Sequence, residues 1–242
     1  MKQLFIRLLF IPLLFTAVQV FAQTPGIELL QISDSKPTLT GEAFSFQGGP
    51  QEMSGTQGTT YAFQHNTDSF YVARFAPFAA SNDEPMLVYV KCFYPGAVFS
   101  QISQTYDGFA PGFAGIGGVN FVAYMKPGYD EFRFWNGTNW SSANTSLRPF
   151  YKQTTNLGTR FEVAIPWSAM IPGGGIPDSV NVVCYQTNGN SGSIFSYSQI
   201  PKTLPAGPQA APAVNEAFKI QIKNVITTTN PLRFYKTKVG SS

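Results

Sequence analysis

The sequence predicts an all-β fold: a two-sheet antiparallel β-sandwich of jelly-roll or immunoglobulin-like type, in one domain behind a leader. Three observations carry that expectation. Short apolar-alternating runs recur along the chain with turn-forming residues between them, and no window shows a helical period. Aromatic residues reach 15% while charged residues are only 12%, so the surface must be built largely from Ser, Thr, Asn, Gln, Gly and Tyr. Such a surface suits a protein that works outside the cell and meets neutral polar ligands.

Residues 1–22 read as a signal peptide. Lys2 and Arg7 precede an apolar run from Leu8 to Val20, and Val20-Phe21-Ala22 supplies the small-residue cleavage pattern. A membrane anchor is the weaker reading, because the run is short of a bilayer span and Gln23-Thr24-Pro25 gives no basic flank. The expected mature chain of 220 residues can bury one substantial core, placed over 23–224, with a polar tail over 225–242. It carries 14 basic and 13 acidic residues. That balance removes the case for a nucleic-acid partner, and no later stretch is apolar for long enough to span a membrane.

Strands are expected over residues 27–33, 42–47, 59–65, 69–75, 86–94, 98–103, 119–126, 129–135, 159–165, 180–187, 193–197 and 217–222. Turn chemistry separates them: Gly48-Gly49-Pro50, Asn66-Thr67-Asp68, Lys126-Pro127-Gly128 and Asn188-Gly189-Asn190 are all turn formers. The glycine-rich stretch DGFAPGFAGIGG (107–118) reads as a loop that presents Phe109 and Phe113 at the rim of a binding surface. A proline- and alanine-rich segment, 201–212, precedes the last strand.

The organising stretch is TRFEVAIPWSAM (159–170). Phe161, Val163 and Ile165 point to one face and Arg160, Glu162 and Ala164 to the other. Pro166 ends the ladder, having no N–H to donate, and Trp167 follows where its ring can plug the end of the core. Cys92 and Cys184 each lie on the apolar face of a strand-like run. A disulfide between them and a pair of buried thiols are both open from spacing alone.

SFYVARFA (69–76), YDEFRFWNGTNW (129–140), TRFEVAIPWSAM (159–170) and VNVVCYQTN (180–188) resemble, in order, the strand motifs of the carbohydrate-binding module family 9-like sandwiches, the group related to DOMON domains. The likeness spans about residues 40–222; the Asp-Gly and following Glu-Trp that often open the family are absent from 27–46. The resemblance implies a sandwich that binds a sugar, holds haem through Met and His ligands, or serves as a structural module on a larger extracellular protein.

A pyranose offers apolar C–H faces and a rim of hydroxyls, so its site needs an aromatic plate beside groups that exchange hydrogen bonds. Tyr129, Glu131, Arg133 and Trp135 alternate onto one face of a strand, opposite Phe132 and Phe134. If the two phenylalanines fill the core, those four are exposed together. Trp140 lies beyond the Asn136-Gly137 turn, where it can stand beside Trp135, with Asn136 and Asn139 supplying amides. Arg74 is a further candidate contact, or a partner for a carboxylate such as Glu162. The bland reading is that the tryptophans cover a sheet edge.

Enzyme chemistry has little to rest on. His65 is the single histidine, and no Gly-x-Ser-x-Gly elbow occurs. Asp107, Asp130, Glu131 and Glu162 read as surface charges or turn acceptors, since carboxylate pairs leave no local signature. No cofactor is expected; a structural calcium is left open, and haem, with His65 and one of Met53, Met86, Met125 or Met170 as ligands, is the weaker alternative. The expectation is therefore a secreted, non-catalytic module that binds a polysaccharide or other neutral glycan, with docking to another extracellular protein as the alternative.

Overall fold

A computed structural model describes residues 27–30, 51–54, 59–76, 84–154, 158–189, 196–201, 203–204 and 210–223. The expected leader, the strand expected at 42–47 and the C-terminal tail lie outside the described residues. Twelve strands are described: β1 (Ile27–Leu30), β2 (Gln51–Ser54), β3 (Thr59–His65), β4 (Ser69–Ala76), β5 (Met86–Phe93), β6 (Phe121–Lys126), β7 (Tyr129–Phe134), β8 (Phe150–Thr154), β9 (Gly158–Pro166), β10 (Ser179–Thr187), β11 (Ser196–Ile200) and β12 (Ala217–Gln221). One helical turn, α1 (Trp167–Met170), follows β9 directly.

The strands form two sheets, one ordered β1-β12-β10-β5-β6-β7 and the other β2-β3-β4-β9-β8. Pairing is antiparallel except at one edge, where β1 runs parallel to β12. β11 pairs with the end of β10 that β12 leaves free. β2 and β8 add an edge strand on each side of the smaller sheet, where no strand is expected from the sequence. Residues 98–103, expected as a strand, make only isolated bridges at Ser100 and Ile102.

Between the sheets lies the main core. Val88, Val90, Phe121, Val180, Val182 and Phe218 of the larger sheet pack against Phe63, Phe70, Val72, Phe161, Val163 and Ile165 of the smaller. Each set follows the two-residue period of its strand, which turns alternate side chains to one face. Trp167 closes one end of this core. It is 2% exposed, stacks on Phe70 with ring centroids 5.9 Å apart, and donates its indole N–H to Asn66 O at 2.8 Å.

Cys92 stands opposite Val180 and Cys184 opposite Val88, four residues apart along the paired strands. At ~3.3 Å per residue that is about 13 Å, well beyond the ~7 Å a disulfide can bridge. Both are free, buried thiols, and burial pushes Cys92 up to about 12 and Cys184 up as well.

A second cluster covers the outer face of the larger sheet. Leu87, Tyr89, Val122, Val183 and Tyr185 project outward and are buried by Phe109, Phe113, Ile116, Val119, Leu204 and Val214 from the two long connections. Phe113 packs on Tyr89 at 4.9 Å and Phe109 on Tyr185 at 5.0 Å. Both phenylalanines are fully buried, which corrects the expectation that they rim a binding surface. Gly115 and Gly118 in their loop lie against other backbone: a Cβ on Gly115 would stand 2.7 Å from Asn215 Cα. Asn120 extends the ladder where β6 has not yet begun, accepting from Cys92 N at 2.7 Å and donating to Cys92 O at 3.1 Å.

Trp167→Ala should cost about 3–5 kcal/mol, since it removes a buried aromatic side chain whose space cannot refill. Trp167→Phe should cost about 1–3 kcal/mol, losing one buried hydrogen bond and part of the ring. Urea unfolding of the two variants against the wild type checks both the size and the order of these effects.

Candidate functional site

The cover of the larger sheet stops short of its β7 edge. There a cleft of about 350 Å³ opens, lined by Gln104, Thr105, Tyr106 and Asp107 on one side and by Tyr124, Lys126, Tyr129, Glu131 and Arg133 on the other. Two turns shape it. Asp107 and Gly108 both have positive φ, 49° and 81°, and Tyr106 and Phe109 exchange backbone hydrogen bonds across them. This is the pattern of a tight Asp-Gly hairpin turn, and it puts the Asp107 carboxylate at the lip of the cleft. Pro127 and Gly128, the latter at φ 75°, reverse the chain between β6 and β7 and set Lys126 opposite Tyr129.

The polar groups are already ordered. Tyr129 OH donates to Glu131 Oε2 at 2.6 Å and Arg133 Nε donates to Glu131 Oε1 at 2.8 Å. Arg133 Nη1 also reaches Ser141 O at 3.3 Å. Tyr124 OH donates to Asp107 Oδ2 at 2.5 Å. Tyr106 and Tyr124 stack at 4.8 Å with planes 12° apart, and Tyr129 meets Tyr124 edge-on at 6.1 Å. Burial alone would raise the Glu131 carboxyl, but hydrogen bonds from Tyr129 and Arg133 outweigh it and hold the group below its ordinary value. The same bond raises Arg133 and Tyr129, while burial and the Asp107 bond raise Tyr124. The cleft thus presents fixed charges and neutral phenols.

Of the eight residues expected to contact a ligand, Tyr129, Glu131 and Arg133 come together in the cleft. Tyr129 is 42% exposed, whereas Glu131 is 7% exposed. Phe132 fills the main core on the other face of β7, but Phe134 is only half-buried. Trp135 and Trp140 pair across the Asn136–Asn139 turn at 5.7 Å and 62°, an edge-to-face arrangement rather than a coplanar platform. Both are half-buried, neither lines the cleft, and Trp140 donates its indole N–H to Ile102 O at 3.1 Å. Asn136 uses its carbonyl to cap its own turn, accepting from Thr138 N and Asn139 N at 2.9 and 2.8 Å. Asn139 is exposed beside it.

Arg74 is a correction. It is fully buried between the sheets, with its guanidinium 5.1 Å above the Phe161 ring, so a surface ligand cannot reach it. Position 74 falls on the inward register of β4 with Phe70 and Val72, while Glu162 lies on the opposite face of β9 from Phe161.

Tyr106, Asp107, Tyr124, Lys126 and Gln104 line the cleft without having been singled out as ligand contacts. The Asp-Gly pair at 107–108 is their only local signal, because the segment meets β6 and β7 solely through tertiary packing. Of the residues expected for haem, Met86, Met125 and Met170 are wholly buried in the main core and His65 is buried and already partnered at the end of β3, while the Met53 side chain lies outside those described. Among the described residues no three His, Cys, Asp or Glu side chains gather as a metal site, and no helix is long and apolar enough to cross a membrane.

No family model matches the chain, and none of the curated proteins matches it. Solved structures of similar fold include a carbohydrate-binding module of family 9 from Caldicellulosiruptor kristjanssonii in complex with cellotriose. It has 11% identity and a TM-score of 0.43, over 84% of this chain and all of that one. A glucose complex of a family 9 module from the same organism gives a TM-score of 0.44 at 11% identity, with the same coverage of 84% and 100%.

Glu131 is depressed in the folded state, so its contribution to stability is complete above its ordinary value of 4.5 and is lost as pH falls through the lower folded value. Glu131→Gln should therefore be less stable than wild type at neutral pH, with the gap closing below about pH 4. Thermal unfolding of both proteins across that range measures the gap.

Proposed function

We propose that this domain is a secreted, non-catalytic module that binds a neutral glycan in the cleft beside β7. The observation that carries the reading is the composition of the cleft. Lys126 and Arg133 stand against Asp107 and Glu131, so the charges balance and neither an anionic nor a cationic ligand is selected by net field. What remains is a set of ordered donors and acceptors around the exposed Tyr129 ring, with the buried Tyr106–Tyr124 stack beside it, which suits a polyhydroxylated ring with apolar faces. The leader expected over residues 1–22 would carry the domain out of the cytoplasm, where such ligands are met.

The same geometry argues against glycoside hydrolysis. A general acid needs a raised carboxyl, and Glu131 is lowered by two donors that occupy both of its oxygens. A second reading, docking to another extracellular protein through the aromatic face, draws support from Ile102 and Val98, which are 72% and 45% exposed near the tryptophan pair. Self-association without any glycan response would favour it.

Screening on a glycan array followed by titration calorimetry tests the proposal. Tyr129→Ala and Lys126→Ala should each weaken the best ligand about tenfold or more, the loss expected when a buried contact to a polar ligand goes unmade. Affinity unchanged in both variants would remove the cleft as the site.

A further inference from the structure

We infer that the ligand is an extended oligosaccharide that lies along β7, with one ring in the cleft and a following part of the chain against Trp135 and Trp140. The inference rests on the glycan reading and adds the length and direction of the ligand. Its basis is that the cleft and the tryptophan pair are two ends of one surface. Tyr129, Glu131 and Arg133 line the cleft from β7, and Trp135 continues that strand by pairing with Asn120, donating N–H to Asn120 O at 2.9 Å. Alternation puts Trp135 on the same face as those three, and the bridge to Trp140 turns both indoles the same way.

The opposite wall is continuous as well. Ile102 O accepts from Trp140, and two residues further on Gln104, Thr105 and Tyr106 enter the cleft. One segment therefore borders both regions.

Distance and polarity then decide the ligand class. From Glu131 to Trp135 the strand advances about 13 Å at ~3.3 Å per residue, further than a single pyranose ring reaches. The two ends differ in chemistry: charges and phenols in the cleft, and two indoles with exposed Val98 and Ile102 beyond it. A monosaccharide can satisfy only the first. A chain can place a ring with its hydroxyls in the cleft and lay the apolar face of a later ring against the half-buried indole pair. Trp140 is suited to this because its N–H is already bound and its orientation fixed before a ligand arrives.

The test is an array carrying mono-, di-, tri- and tetrasaccharides of each common polymer, followed by calorimetry with the best series. Wild type should gain about tenfold in affinity between one ring and three or four. The Trp135→Ala, Trp140→Ala double variant should lose that gain and keep its affinity for the monosaccharide, which also shows that it is folded. Ile102→Asp, at a position outside both cores, should cut the gain with the indoles still in place. Equal affinity for one ring and four, or a gain that survives the double variant, overturns the extended ligand and leaves the cleft reading standing. Failure of every glycan overturns the cleft reading itself. Self-association abolished by Ile102→Asp, with no dependence on chain length, assigns the tryptophan end to a protein partner instead.

Discussion

The central strands of the larger sheet are buried on both faces, and the rest of the molecule follows from that constraint. β10 has no exposed residue from Ser179 to Thr187, with Val180, Val182 and Cys184 turned to the smaller sheet and Val183 and Tyr185 turned away. A strand apolar on both sides needs a second layer. The smaller sheet supplies one, and residues 94–120 with Leu204 and Val214 supply the other, through aromatic and aliphatic side chains rather than strands. This cover is fastened by polar contacts at its margins. Lys91, lying between the Phe93 and Phe99 rings, donates to Ile116 O at 2.8 Å and to Gly117 O at 3.2 Å. Ala110, Gly112 and Val214 link the two covering segments by backbone hydrogen bonds.

The cleft is where that layer ends. Tyr106 is the last covering side chain to pack on the sheet before the Asp107-Gly108 turn, and beyond it β7 carries Glu131 and Arg133 outward. A site of this kind needs no special element of its own. It arises from a mismatch in width between a sheet and its cover, and the charged groups within it are affordable because each carboxylate meets a donor from a neighbouring side chain.

Much of the sandwich was legible because alternation on a half-buried strand is a local signal. β3, β4, β5, β7, β9 and β10 are found within a residue or two of their expected bounds, and the turn from β9 into Trp167 has the expected architecture. The misses have physical reasons. Residues 98–103 alternate like a strand, but Val98 and Ile102 are exposed and only isolated bridges at Ser100 and Ile102 reach the segment. β8 follows an Asn- and Ser-rich stretch and carries no strong alternation of its own; its pairing with β9 makes it a strand. Glycine around Phe109 and Phe113 suggests mobility, whereas Gly115 and Gly118 permit close backbone approach and Gly108 a tight turn. Arg74 looked like a surface group because a buried guanidinium is rare.

For the site, legibility stopped at the strand. Tyr129, Glu131 and Arg133 share a face by period alone, so one wall could be read from residues 129–135. The other wall arrives from residues 104–107 through long-range packing, which no spacing encodes, and β6 contributes Tyr124 only because its register sets it beside Glu131. The tryptophans illustrate the same limit from the other direction. Their pairing across a four-residue turn follows from local sequence, but whether two indoles so placed lie flat or edge-on depends on what each can bond to. Trp140 turns toward Ile102, whose carbonyl accepts its N–H, and the ring so held meets Trp135 edge-to-face. The orientation that a ligand would meet is thus set by a residue thirty-eight positions away in the chain.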